Sequence, residues 1–368
     1  KLVRYLCLMK FIITQKQSLR IIKEALGVPK PIEFWVDTLS SLISDGLMML
    51  LSSDDKEIFF EGKEVQEKAV SLGWSSLSDN FIDFPLAEPN LNLSLVVVPD
   101  DDIKIGDDYI QNASFDVEAT FEDGETKPLL VGGTINLELL IPQSSYDNGT
   151  FVELFKTDIK PYAESILFHE LTHVYEFYNR LLSGNASPNF EQVSNITQMI
   201  NKMGVVDDWD ELMFLIYLHL SFELNARVSE VYGLLRNKNI TSKEEFVEFL
   251  KTSRAWSYAK RLQNFDTEKY IKDFEVPQET IDRIRSHDGE ETSMDEIKNI
   301  VLSQLIDNWS ITYQDFLKDF SADETLKIPD LPPSVSSSPR NFLKFWEKRF
   351  NKAGEDSLRK ISRLYSLI

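Results

Sequence analysis

His169-Glu170-Leu171-Thr172-His173 gathers two imidazoles and a carboxylate within five residues. On a helix, residues four apart stand one turn above each other, so His169 and His173 aim at one point and Glu170 stands beside it. Two nitrogen donors on one helix face, next to a carboxylate, suit a zinc ion and its water. The plainer alternative is a solvated polar face. Against it, Ile166, Leu167, Phe168, Leu171, Val174 and Phe177 surround the same segment with apolar side chains, so the helix is expected to be buried on most sides. Buried imidazoles need partners, and a metal ion is the partner this spacing suits, one zinc per chain.

These five residues, HELTH, resemble the active-site helix of the zincin metallopeptidases. The resemblance implies that His169 and His173 bind zinc and that Glu170 is the general base. It also implies an α+β fold whose small sheet precedes the active-site helix; a peptide or protein substrate is the expected partner.

A catalytic zinc takes a third protein ligand. The glycine and third histidine of a metzincin are missing, because His173 is followed by Val-Tyr-Glu-Phe-Tyr-Asn. Glu176 stands seven residues after His169, about 10 Å along a helix axis, which suits an ion pair or an outer contact better than a ligand. Glu223 is the stronger candidate. It shares a helix face with Ile216, His219, Leu220, Ala226 and Arg227, and a carboxylate in such a stripe is normally paired or bound to metal. His219 and Glu230 are the alternatives.

HExxH followed some fifty residues later by Glu-x-x-Ala resembles the gluzincin branch of the superfamily, which implies Glu223 as third ligand. The chain departs from that pattern at Arg227, where many gluzincins carry an acid that orients a histidine. The orienting acid then falls to Glu230 or Glu176. A tyrosine or histidine beside the oxyanion is also implied, with His219, Tyr217 and Tyr232 as candidates.

Several elements must position these residues. The HELTH helix is expected from Pro161 to Gly184, and one long helix from Asp207 to Leu235, acidic at its start as the helix dipole favours. Before them, Leu91–Val98, Ala113–Phe121, Leu129–Val131 and Thr134–Ile141 read as strands. Phe115, Val117, Ala119 and Phe121 alternate inward. By the resemblance and by chain order, Thr134–Ile141 is expected at the cleft as the edge strand that pairs with substrate.

Amphipathic helices are expected over 14–26, 32–51 and 64–72, with another over 189–202 after a loop at 185–188. Ser242-Lys-Glu-Glu245 and Ser293-Met-Asp-Glu296 are capping boxes, His287 falls in a polar loop, and Phe342, Trp346 and Phe350 share a face of a closing helix. Five aspartates in 100–108 read as a solvated acidic turn without EF-hand ligand order. The resulting organisation is a helical region over 1–90, a zincin-like core over 91–236, a helical region over 237–328, and a Pro/Ser linker with a basic helix over 329–368.

The chain has 368 residues and a net charge of -21, which disfavours nucleic acid and anionic membrane as partners. The acidity lies in the body, since residues 1–30 carry seven Lys/Arg against one Glu. No apolar run is long enough to span a bilayer, and no signal peptide is read. One cysteine, Cys7, rules out an internal disulfide and fits a reducing compartment. Met9-Lys-Phe-Ile-Ile-Thr-Gln-Lys-Gln17 is similar to the opening of small proteins of tailed bacteriophages, which implies the host cytoplasm or the virion as location. A structural or interaction protein, for instance a virion component with a zincin-like fold and little turnover, is the second reading.

Overall fold

The computed structural model describes residues 30–72, 91–103, 110–121, 128–182, 207–289, 291–320 and 338–367. The helices expected over 14–26 and 189–202, the 185–188 loop, most of the Pro/Ser stretch, and 104–108 of the acidic run lie outside them. Asp102 donates its backbone N–H to Asp100 Oδ1 at 2.7 Å, so the part of that run described is a local turn closed on itself, with Asp101 and Asp102 exposed.

The described chain is mostly helical with one small mixed sheet, an α+β arrangement. It begins with α1 (Lys30–Leu50), whose Trp35, Leu39, Ile43, Leu47 and Leu50 are all buried at helical spacing. A short strand, β1 (Glu57–Phe60), leads into α2 (Gly62–Ser71), closed at its start by a capping box between Glu61 and Glu64. The remaining strands are β2 (Leu91–Asp100), β3 (Ile110–Phe121) and β4 (Pro128–Pro142). Their order is β1-β2-β4-β3, with β2 parallel to β4 and both edge strands antiparallel to their neighbours. Alternate residues point inward: Leu91, Leu93, Leu95 and Val97 on β2, and Ile135, Leu137, Leu139 and Ile141 on β4, are buried in one core with the apolar face of α1.

Three expectations about the sheet need correcting. Leu129–Val131 and Thr134–Ile141 are one strand, because Gly132 and Gly133 do not interrupt pairing with β3. A Cβ on Gly133 would lie 2.4 Å from the Asp116 carbonyl oxygen and 2.5 Å from the Phe115 ring, so glycine here admits a close approach between strands. Thr134–Ile141 is also an interior strand, flanked by β2 and β3, and its backbone is already paired on both sides. Finally, β1 was not expected; four residues with Phe59 exposed carry too little alternation to read as a strand. Of the inward set on β3, Phe115 is half-buried against the core, while the side chains from Val117 onward lie outside the described residues.

After β4 come two short helices, α3 (Gln143–Asp147) and α4 (Phe151–Leu154), and a π-helical turn at Phe155–Ile159 that runs into α5 (Lys160–Leu182). Next are α6 (Asp207–Leu218) and α7 (Ser221–Arg236), where one continuous helix was expected. The chain breaks at Leu220, which is extended at φ -64° and ψ 138°. The break has a packing cause. Trp209, Leu212, Met213 and Leu218 of α6 belong to a second hydrophobic core, whereas Val228, Val231 and Leu235 of α7 belong to the core of the sheet, α1 and α5.

α8 (Lys243–Thr252) places Phe246 and Leu250 in the first core, and the second core is completed by α9 (Arg254–Gln263), α10 (Thr267–Asp273), α11 (Gln278–Asp288), α12 (Met294–Phe320) and α13 (Pro339–Arg363). Ser242 and Ser293 accept from the N–H groups of Glu245 and Glu296, as capping boxes require. His287 lies in the last turn of α11 rather than in a loop; Gly289, at φ 109°, ends that helix two residues later. Phe342, Trp346 and Phe350 of α13 are fully buried, and its basic residues Arg340 and Lys344 pair with Glu268 at 2.8 and 3.5 Å. Among the described residues no helix is long and apolar enough to cross a membrane.

Candidate metal centre

The HELTH segment occupies the middle of α5. Leu167, Phe168, Leu171 and Val174 are buried in the first core and fix the helix about its axis, so His169 and Glu170 are held in place although both are buried. Thr172 avoids an unsatisfied hydroxyl by donating to the Phe168 carbonyl one turn back at 2.7 Å.

α7 lies across α5. Their approach is set by Gly233, where a Cβ would come within 2.6 Å of the Phe168 ring and 2.8 Å of Ser165 Cα. Two of the three nearest atoms are ring atoms and one is backbone, so only hydrogen fits. Ala226 is fully buried two turns earlier. The crossing carries Glu223, in the first turn of α7, onto the two histidines. A carboxylate suits that turn, where unpaired N–H groups leave partial positive charge.

Three donor atoms converge. Nε2 of His169 and Nε2 of His173 are 3.1 Å apart, and Oε2 of Glu223 lies 3.7 and 3.4 Å from them respectively. Among the described residues, His169, His173 and Glu223 form the group that could hold a metal ion, with all three donors within 4.8 Å of one another. Glu223 is 0 % exposed, so its charge must be balanced within the protein.

The balance comes from Arg227. Its Nε donates to Glu223 Oε1 at 2.7 Å and its Nη1 to Glu230 Oε2 at 2.8 Å. That same Glu230 oxygen stands 3.6 Å from Nδ1 of His169, a buried ring nitrogen with no hydrogen-bond partner in this arrangement. Burial pushes both carboxyls up, but Arg227 and the histidines outweigh it and hold Glu223 and Glu230 below the usual carboxylate range. Glu170 goes the other way. Its burial dominates the opposing pull of His169 and His173, and its carboxyl is raised.

Tyr217 joins the cluster from the end of α6, donating its hydroxyl to Glu223 Oε2 at 2.7 Å. Burial and the Glu223 charge push this phenol well above its ordinary range, so it remains a donor. Two other candidates lie elsewhere. His219, at the break, packs on Trp346 and Phe350 with ring centroids 5.1 and 5.8 Å away, and its Nδ1 meets the Ile216 carbonyl. Tyr232 stands edge-on to Phe168 and donates to Glu33 on α1. The resemblance offers these two beside Tyr217 without choosing among them, and of the three it is Tyr217 whose hydroxyl bonds Glu223. The side chain of Glu176 lies outside the described residues.

No family model, curated protein or solved structure matches the chain. The functional reading therefore rests on the geometry of these residues. Gly233 is the position that sequence reasoning missed; its signal was a glycine inside an otherwise helical run, which marks a packing need when it is not a cap.

Proposed function

We propose that this chain is a zinc-dependent metallopeptidase of the gluzincin kind, with a zincin-like core made of the sheet, α5 and α7. One observation carries the reading: a carboxylate from a separate helix meets the two histidines of HELTH. In tetrahedral zinc sites with bonds of about 2.0–2.1 Å, donors lie roughly 3.3 Å apart. The separations of 3.1, 3.4 and 3.7 Å bracket that spacing. Two imidazoles and one carboxylate also leave a fourth position open, as hydrolytic sites need.

The ion, when bound, supplies the Lewis acidity that makes water nucleophilic near neutral pH and polarises a carbonyl. The protein's own groups do the rest. Glu170 takes a proton from the attacking water at its carboxylate and returns it to the leaving amine nitrogen. Its raised carboxyl suits a group that must both accept and donate. Tyr217, whose hydroxyl is hydrogen-bonded to Glu223, is the candidate donor to a developing oxyanion. For an extended peptide substrate, β3 takes the place first given to Thr134–Ile141, since it is the edge strand that packs beside α5.

The test is metal analysis of the purified chain with cleavage of a broad peptide library, on wild type and Glu170→Gln. About one zinc in both, with hydrolysis in wild type alone, is the expected result. Zinc binding without any cleavage by wild type moves the reading to a structural protein with a zincin-like fold.

A further inference from the structure

Resting on the metal reading above, we propose that Arg227 is a positioning residue that keeps Glu223 a one-oxygen ligand and so holds the fourth metal position open. A glutamate with both oxygens free can grip a cation through both. Here Nε of Arg227 occupies Oε1 at 2.7 Å, and Oε2, which also accepts from the Tyr217 hydroxyl at 2.7 Å, is the oxygen turned to the histidine nitrogens. The guanidinium cannot easily rotate away. Its other arm holds Glu230 at 2.8 Å, and its carbon lies 5.2 Å from the Tyr258 ring centroid. The Glu230 oxygen so held is the carboxylate oxygen beside Nδ1 of His169, at 3.6 Å. A single planar fork thus holds both the third ligand and the carboxylate that stands beside the first. Lysine, a point cation without the fork, cannot hold both carboxylates in this way.

The experiment uses the full chain as wild type, Arg227→Lys, Arg227→Met and Glu230→Gln. Circular dichroism checks folding, competition with a chelator gives zinc and cobalt(II) affinity, and the visible spectrum of the cobalt form reports coordination number. Arg227→Lys and Arg227→Met are expected to bind about 10–100-fold more weakly, the range for loss of a residue that orients metal ligands. Their cobalt absorption should weaken as a second Glu223 oxygen enters the coordination sphere. Glu230→Gln should bind more weakly while keeping the wild-type cobalt spectrum, because the contact between Arg227 and Oε1 persists. Folded Arg227 variants with wild-type affinity and spectrum overturn the proposal, and failure of both to fold replaces it with a purely structural role. Wild type that takes up no metal removes the metal site itself, an outcome distinct from variants that match a metal-binding wild type.

Discussion

Tyr217 and Glu223 are six residues apart in the chain and hydrogen-bonded at 2.7 Å, a contact that an unbroken helix would prevent because residues six apart face different sides. The extended residue Leu220 makes it by ending α6 and starting α7 in a new direction. Tyr217→Phe should therefore destabilise the metal-free protein by about 2 kcal/mol, the usual worth of a hydrogen bond to a charged acceptor. Urea unfolding of the two proteins measures it, and equal midpoints would deny the bond its role.

Glu223→Ala should abolish stoichiometric metal binding. In the proposed role of third ligand it would matter more than an outer contact, so the loss should exceed the about 100-fold upper range for residues that only orient ligands. Chelator competition gives the ratio. Near-wild-type affinity in a folded variant would show that Glu223 pairs with Arg227 and does not reach the ion.

Gly233→Ala sets two effects against each other. Alanine in a helix gains about 1 kcal/mol over glycine, but overpacking costs about 1–3 kcal/mol, and here the new methyl meets Ser165 backbone as well as the Phe168 ring. The net expectation is a loss of about 1 kcal/mol, larger for Gly233→Val. Metal affinity should fall with it, since moving α7 away from α5 withdraws Glu223 from the histidines. Stability and metal titrations on the same samples check both parts; a stabilised alanine variant with unchanged affinity would contradict the close-approach account.

His219 gives a pH dependence separate from the candidate metal centre. Burial among aromatic rings lowers its pKa from 6.5 to about 4. The unfolded ring protonates as pH falls through 6.5 while the native ring stays neutral, so native stability drops over that window and levels off below about 4. The shift corresponds to about 3 kcal/mol. Wild type should lose that much more stability than His219→Phe between pH 7 and pH 4, with the carboxylates common to both cancelling in the comparison. Parallel pH curves would place the ring in contact with water.

Local rules made much of this protein legible from its residues alone. HELTH needed only helical spacing to point two imidazoles one way, and the apolar residues around it forecast the burial found at Leu167, Phe168 and Leu171. Glu223 stood out because a carboxylate in a core-facing stripe demands a counter-charge, and the seams at Ser242, Ser293 and the Phe342-Trp346-Phe350 face are equally short-range. What chain order could not settle was every feature that depends on two distant segments meeting. The break at Leu220 is decided by α6 and α7 entering different cores, and it takes His219 to Trp346 while leaving Tyr217 at Glu223. The interior place of β4 depends on pairing with both β2 and β3, and the glycine at 133 shows its purpose only once Phe115 lies across it. The bridge from Arg227 to Glu223 and Glu230 is local in sequence, yet its bearing on His169 exists only because Gly233 lets two helices touch. Helical periodicity says which way a side chain points; which partner it meets there is set by close packing between helices.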